Sequence, residues 1–130
     1  SIFDTLDSDD DYLSALAARL AYVPIFRDVS IDLSPGRNLA PVRTDPQRLE
    51  DALNGLLEQM ALAGVTNISI STHNGDNGVG MEIVAGCGGR EIMKENKFRM
   101  HVRRFDICGA SLSQLPGPDK EGFHLLFSPE

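Results

Sequence analysis

The chain has no tryptophan, two cysteines and two tyrosines among its 130 residues, and it carries more acid than base, with 19 Asp and Glu against 12 Lys and Arg. Each shortage excludes something. Cys87 and Cys108 are too few and too far apart for a disulfide framework or a zinc site of about four close ligands, so reduced thiols are expected. No apolar run approaches the ~20 residues of a membrane span, and the acidic first residues lack a signal peptide's basic and apolar blocks. A cytoplasmic location without membrane contact is therefore expected. The formal charge of -7 argues against a nucleic-acid partner, because such proteins neutralise phosphates with a basic excess. There is also no Walker loop, no G-x-S-x-G elbow, no H-E-x-x-H and no carboxylate pair at catalytic spacing. No catalytic residue and no metal ligand is assigned on motif alone.

What remains is one domain's length, residues 1–130, opening on Ser1 and so expected to be a piece of a longer protein. Its charge is uneven. Asp4, Asp7, Asp9, Asp10 and Asp11 crowd the start, whereas Arg90, Lys94, Lys97, Arg99, Arg103 and Arg104 gather late with only Glu91 and Glu95 among them. That basic segment reads either as a surface for an anion or acidic partner, or as the solvated face of a helix or loop.

Residues 2–6 read as a strand, followed by a helix capped by Ser8 with Leu13, Leu16, Ala17, Leu20 and Ala21 on one face. Val29, Ile31 and Leu33 alternate with polar residues before the Ser34-Pro35-Gly36 turn, giving another strand. The strongest element is TDPQRLEDALNGLLEQMALAG. Asp45 caps it, Pro46 suits its first turn, and Leu49, Ala52, Leu53, Leu56, Leu57 and Met60 fall on one helical stripe closed by Gly64. Then come a strand in TNISIST, a turn in HNGDNG, a strand in VGMEIVAG and a loop over residues 86–96. Phe98, Val102 and Phe105 mark a last helix ending at Gly109, and two strands, ASLSQL and FHLLFSP, finish the chain. This order predicts an α+β two-layer sandwich: a mixed, mostly antiparallel sheet with helices on one face.

With those elements in place, TDPQRLEDALNGLLEQMALAG resembles the helix D-P-x-R-L-x-Q-V-L-x-N-L-L-x-N-A of bacterial histidine kinases. RRFDICGASLSQLPGPDKEGFHLLFSPE is similar to the helix, strand, turn and strand that end their catalytic and ATP-binding domain, and the likeness spans essentially the whole chain. The resemblance implies the Bergerat (GHKL) fold shared with gyrase and MutL.

It also implies where ATP would bind, and there the sequence departs from the pattern. The family's asparagine that coordinates the magnesium bridging the ATP phosphates falls at Gln59, one methylene longer, and the earlier asparagine of the same box falls at Gly55. The register that preserves every strand sets the adenine-binding D-x-G-x-G box on Gly86, Gly88 and Arg90, with glycine in place of the aspartate. The alternative register uses Asp76, Gly78 and Gly80, which otherwise read as a hairpin turn. The family's second glycine box is missing from EIMKENKFRMHVRR, so the amide cradle for phosphates cannot form in the usual way.

The resemblance thus implies a degenerate, non-enzymatic domain without a cofactor. It would dock a response-regulator receiver or a helical dimerisation domain, inside a full-length homodimer, as part of a two-component phosphotransfer system. Two alternatives stay open: a divergent domain that binds ATP and Mg through Asp76, Gly78 and Gly80, and one that holds another nucleotide, such as a cyclic dinucleotide, on Arg90, Lys94 and Arg99. His73 in a turn, His101 on a helix and His124 on a strand read as structural rather than phosphoaccepting.

Overall fold

The structure, a computed structural model, describes residues 5–6, 29–34, 36, 42–86, 94–115 and 122–128. The expected helix after Ser8 lies outside the described residues. Strands β1 (Thr5–Leu6), β2 (Ser30–Ser34) and β3 (Val42–Arg43) precede helix α1 (Pro46–Leu62). A hairpin of β4 (Asn67–Gly75) and β5 (Gly78–Ala85) follows, then helix α2 (Glu95–Ile107), β6 (Ala110–Gln114) and β7 (Gly122–Phe127).

Five strands form one sheet in the order β2-β4-β5-β7-β6. Only β2 and β4 run parallel; the other three pairings are antiparallel, so the sheet is mixed and mostly antiparallel. The two-stranded pair of β1 with β3 stands apart, and β3 is too short to leave a mark in the sequence pattern.

Alternation decides which face is buried. Ile68, Ile70 and Thr72 of β4, Val79, Met81, Ile83 and Ala85 of β5, and Phe123, Leu125 and Phe127 of β7 all turn inward. Leu49, Ala52, Leu53, Leu56, Leu57 and Met60 of α1 close over them, and Phe105 of α2 completes the layer. Full burial of each such leucine or phenylalanine stabilises the fold by about 1.5–3 kcal/mol, so this helix-on-sheet seam is the core.

The ends of α1 are set locally. Asp45 accepts hydrogen bonds from the Gln47 and Arg48 amides at 3.1 and 3.4 Å, and Pro46 occupies the first turn. Gly64 follows at φ 94°, a conformation that a side chain would strain. The hairpin corrects one boundary. Strand β4 continues through His73 and Asn74, leaving Asp76 and Asn77 alone as the turn, so His73 lies on a strand opposite Gly80.

Candidate functional site

Helix α2 lies across α1 in the opposite direction. The ammonium of Lys97 donates to Gln59 Oε1 at 3.4 Å, and one helical turn away the guanidinium of Arg104 covers Gly55. A Cβ on Gly55 would stand 2.6 Å from Arg104 Nη1 and 3.8 Å from His101 Cε1. Glycine here lets the guanidinium approach, and the seam between Gly55 and Gln59 is closed by cationic side chains.

His101 sits between them, 2% exposed, and neither ring nitrogen has a partner among the described residues. Burial pushes its pKa below the ordinary histidine value, and the charges of Arg104 and Lys97 push it further in the same direction. The imidazole is therefore held neutral between two cations. Asn54, next to Gly55, also leaves its buried Oδ1 without a partner. Lys97, His101 and Arg104 recur at i, i+4 and i+7, a spacing legible in the sequence. That spacing defines a face of α2, but only packing shows that the face meets Gly55 and Gln59.

Two observations place the other candidate residues relative to this seam. Only residues 63–66 separate the end of α1 from the start of β4, so Gln59 lies toward the sheet end where Asn67 pairs with the chain leaving β5. Phe98, beside Lys97, stacks on Phe123 with ring centroids 6.0 Å apart, and Phe123 pairs with Ile83 near the same end of β5. Gly86 is there too, its amide donating to the Asn67 carbonyl at 2.7 Å. A Cβ on Gly86 would come within 2.8 Å of Asn67 Cβ, so an aspartate there would have to displace the asparagine side chain.

Asp76 is exposed in the turn at the opposite end of β5, an eight-residue strand spanning roughly 25 Å. Gly78 and Gly80 are buried within the ladder, paired with Gly75 and His73. The structure thus gathers Gln59, Gly86 and Lys97 toward one end of the sheet, sets Arg104 against the middle of α1, and leaves Asp76, Gly78 and Gly80 at the hairpin. Gly88 and Arg90 lie outside the described residues.

The basic segment divides by partner. Lys97 and Arg104 turn to α1, Arg99 pairs with Glu95 of the preceding turn at 2.7 Å, and Lys94 and Arg103 are exposed. Helix α2 begins at Glu95, so its first two residues fall in the stretch expected to be loop, residues 86–96. At its far end Cys108 is buried, and its thiol pKa is pushed up to about 11, chiefly by burial and then by Asp45. Thr44 Oγ1 donates to the Cys108 carbonyl at 2.6 Å, tying the entry of α1 to the exit of α2.

No cluster of three or more metal-ligating side chains occurs among the described residues, and no helix there is long and apolar enough to cross a membrane. No protein-family model matches the chain, and no curated protein matches it. Solved structures do match. The ATP-binding domain of PrrB from Mycobacterium tuberculosis superposes with a TM-score of 0.73 at 19% identity, covering 98% of both chains. The catalytic domain of the histidine kinase ThkA gives 0.69 at 16% identity over 98% of this chain and 99% of that one. The Acinetobacter baumannii histidine kinase AdeS gives 0.72 at 13% identity, this chain covering 66% of its length. The fold is that of histidine kinase catalytic domains, the α+β sandwich expected from the sequence.

Proposed function

We propose that this domain keeps the histidine kinase catalytic fold but not its nucleotide chemistry, and serves as a docking module in two-component phosphotransfer. The observation that carries the reading is the bond from Lys97 to Gln59. A magnesium ion requires a compact shell of oxygen ligands, and at the position the family gives to its magnesium-binding asparagine the side-chain oxygen already accepts from an ammonium. Arg104 lies over Gly55, where the earlier asparagine of the box would stand, so the two cations face the path a Mg-triphosphate would need.

Gly86 supports the same reading. It offers no carboxylate to accept a proton from the adenine amino group, and burying that amino group unpaired costs about 1–3 kcal/mol. The exposed Lys94 and Arg103 offer positive charge to a receiver domain, whose phosphorylation site is acidic. The helical dimerisation domain on which a phosphorylatable histidine would lie is a partner of the same kind.

Repair of the site tests the proposal. Gly86→Asp with Gln59→Asn is expected to gain no measurable MgATP binding by isothermal titration, because the two cations still occupy the seam. Adding Lys97→Ala and Arg104→Ala is expected to yield binding. Tight MgATP binding by the unmodified domain would refute the reading, and loss of that binding in Asp76→Ala would assign it to the hairpin glycines. Tight binding of ATP without magnesium would instead make the cationic seam a phosphate site.

A further inference from the structure

The sheet face away from the helices carries a second constellation. On it His73 of β4 pairs with Gly80 of β5, while His124 of β7 pairs with Glu82, one residue pair further along the same face. The two rings are tilted by 40° with centroids 6.0 Å apart. Their nitrogens converge: a Cβ built on Gly80 would stand 2.6 Å from His73 Nε2 and 3.0 Å from His124 Nε2. Both Nε2 atoms thus lie within 3.0 Å of the point a Gly80 side chain would occupy, so the two imidazole edges come together over a residue that has none.

Glycine inside a strand weakens it, and its presence there often marks close approach by a ligand. Gly80 adopts no positive φ among the glycines that do, so backbone conformation does not require it. What a larger residue would disturb is the convergence of the imidazoles. Neutral imidazole Nε2 is among the commonest metal donors, with bonds of about 2.0–2.1 Å to zinc. A shared ion would set the two nitrogens roughly 3 Å apart, on that bond length, which small rotations of the rings supply.

We infer that His73 and His124 form a binding site for a borderline divalent transition ion, Zn2+ or Ni2+, on the open face of the sheet. No third imidazole, thiolate or carboxylate joins them among the described residues, so water fills the remaining positions. Apolar Leu126 lies opposite Gly80 on this face, and polar side chains surround the pair. Ser69 and His73 are exposed on β4, Ser111 and Ser113 on β6, and Asp32 on β2. Glu82 adds a negative charge on the same face. Nothing in this site depends on the seam between α1 and α2, which lies across the sheet.

Titration of the untagged domain with NiCl2 and with ZnCl2, followed by calorimetry and by the histidine side-chain resonances, tests the site. One equivalent is expected to bind below millimolar metal, moving the His73 and His124 signals and leaving buried His101 in place. His73→Ala and His124→Ala are each expected to weaken binding about tenfold or more, at least as much as the loss of an outer partner does in metal sites generally. Both positions face solvent at least in part, so the variants should fold. Gly80→Ala is expected to weaken binding with both histidines intact. The inference is overturned by the absence of saturable binding, or by either histidine variant binding like the parent, which would assign the metal to other residues such as the acidic N-terminus.

Discussion

Lys97 and Gln59 meet across the two helices, the ammonium donating to the side-chain amide oxygen at 3.4 Å. Both groups reach solvent, so the bond itself contributes little, within the 0–1 kcal/mol of surface polar pairs. Its significance lies in position. On the proposed reading, a side chain one methylene longer than asparagine turns to a cation on α2 with the oxygen that a metal would take.

The glycines beneath and beside this seam separate cheap from costly substitutions. Gly55→Ala relieves a mid-helix glycine, and its new methyl crowds the movable far end of Arg104 while touching His101 at ordinary contact distance, so stability should rise by about 0.5 kcal/mol. Gly122→Ala would drive a methyl against the Ile83 carbonyl at φ 158°, and should cost about 3 kcal/mol or more. Urea unfolding of the two variants beside the parent checks both signs.

Burial and two neighbouring cations hold the pKa of His101 below its ordinary value in the folded state, so the unfolded chain binds more protons as the pH falls past about 6.5. Stability attributable to His101 is therefore complete above that pH and is lost as the pH falls through the folded value. Unfolding curves between pH 7.5 and 5.5 should show this decline. His101→Leu should flatten it, and should cost little at pH 7.5 because it removes two buried nitrogens that have no partner.

Much of the fold is legible in the chain because its signals are local. Asp45, Pro46, the apolar stripe and Gly64 mark α1 to the residue, and Gly109 marks the end of α2 at φ 85°. The hairpin is legible as well, although alternation extends β4 through His73 into a stretch whose glycines and asparagines suggest turn. The parallel pairing of β2 with β4 joins Ser30 to Asn67, and a contact so distant in sequence has no local signature. Gln59, Gly55 and Gly86 stand out in the chain as departures from a pattern, but what fills the space beside them depends on how two helix faces meet.

Cys108 should be inert to thiol reagents. In a Cys87→Ser background, a thiol with a pKa near 11 has almost no thiolate at neutral pH, and its burial adds a steric barrier. Labelling by iodoacetamide should track global unfolding across a denaturant series. Rapid labelling without denaturant would show that the end of α2 opens locally.

The cap of α1 is a test of local structure. Asp45→Ala removes the acceptor for two amides of the first turn and should destabilise the domain by about 1 kcal/mol, whereas Asp45→Asn should restore most of the loss. Thermal unfolding of the two variants under one buffer condition checks the order.

If the fold is kept without its nucleotide, a thermal-shift titration of the unmodified domain with ATP and magnesium should leave its melting temperature unmoved. A ligand at a hundred times its Kd stabilises the native state by about 2.7 kcal/mol, which raises the melting temperature of a domain of this size by several degrees. An unmoved melting temperature at millimolar MgATP is the predicted result. A rise of several degrees would contradict the account and show that the cations on α2 give way to a nucleotide.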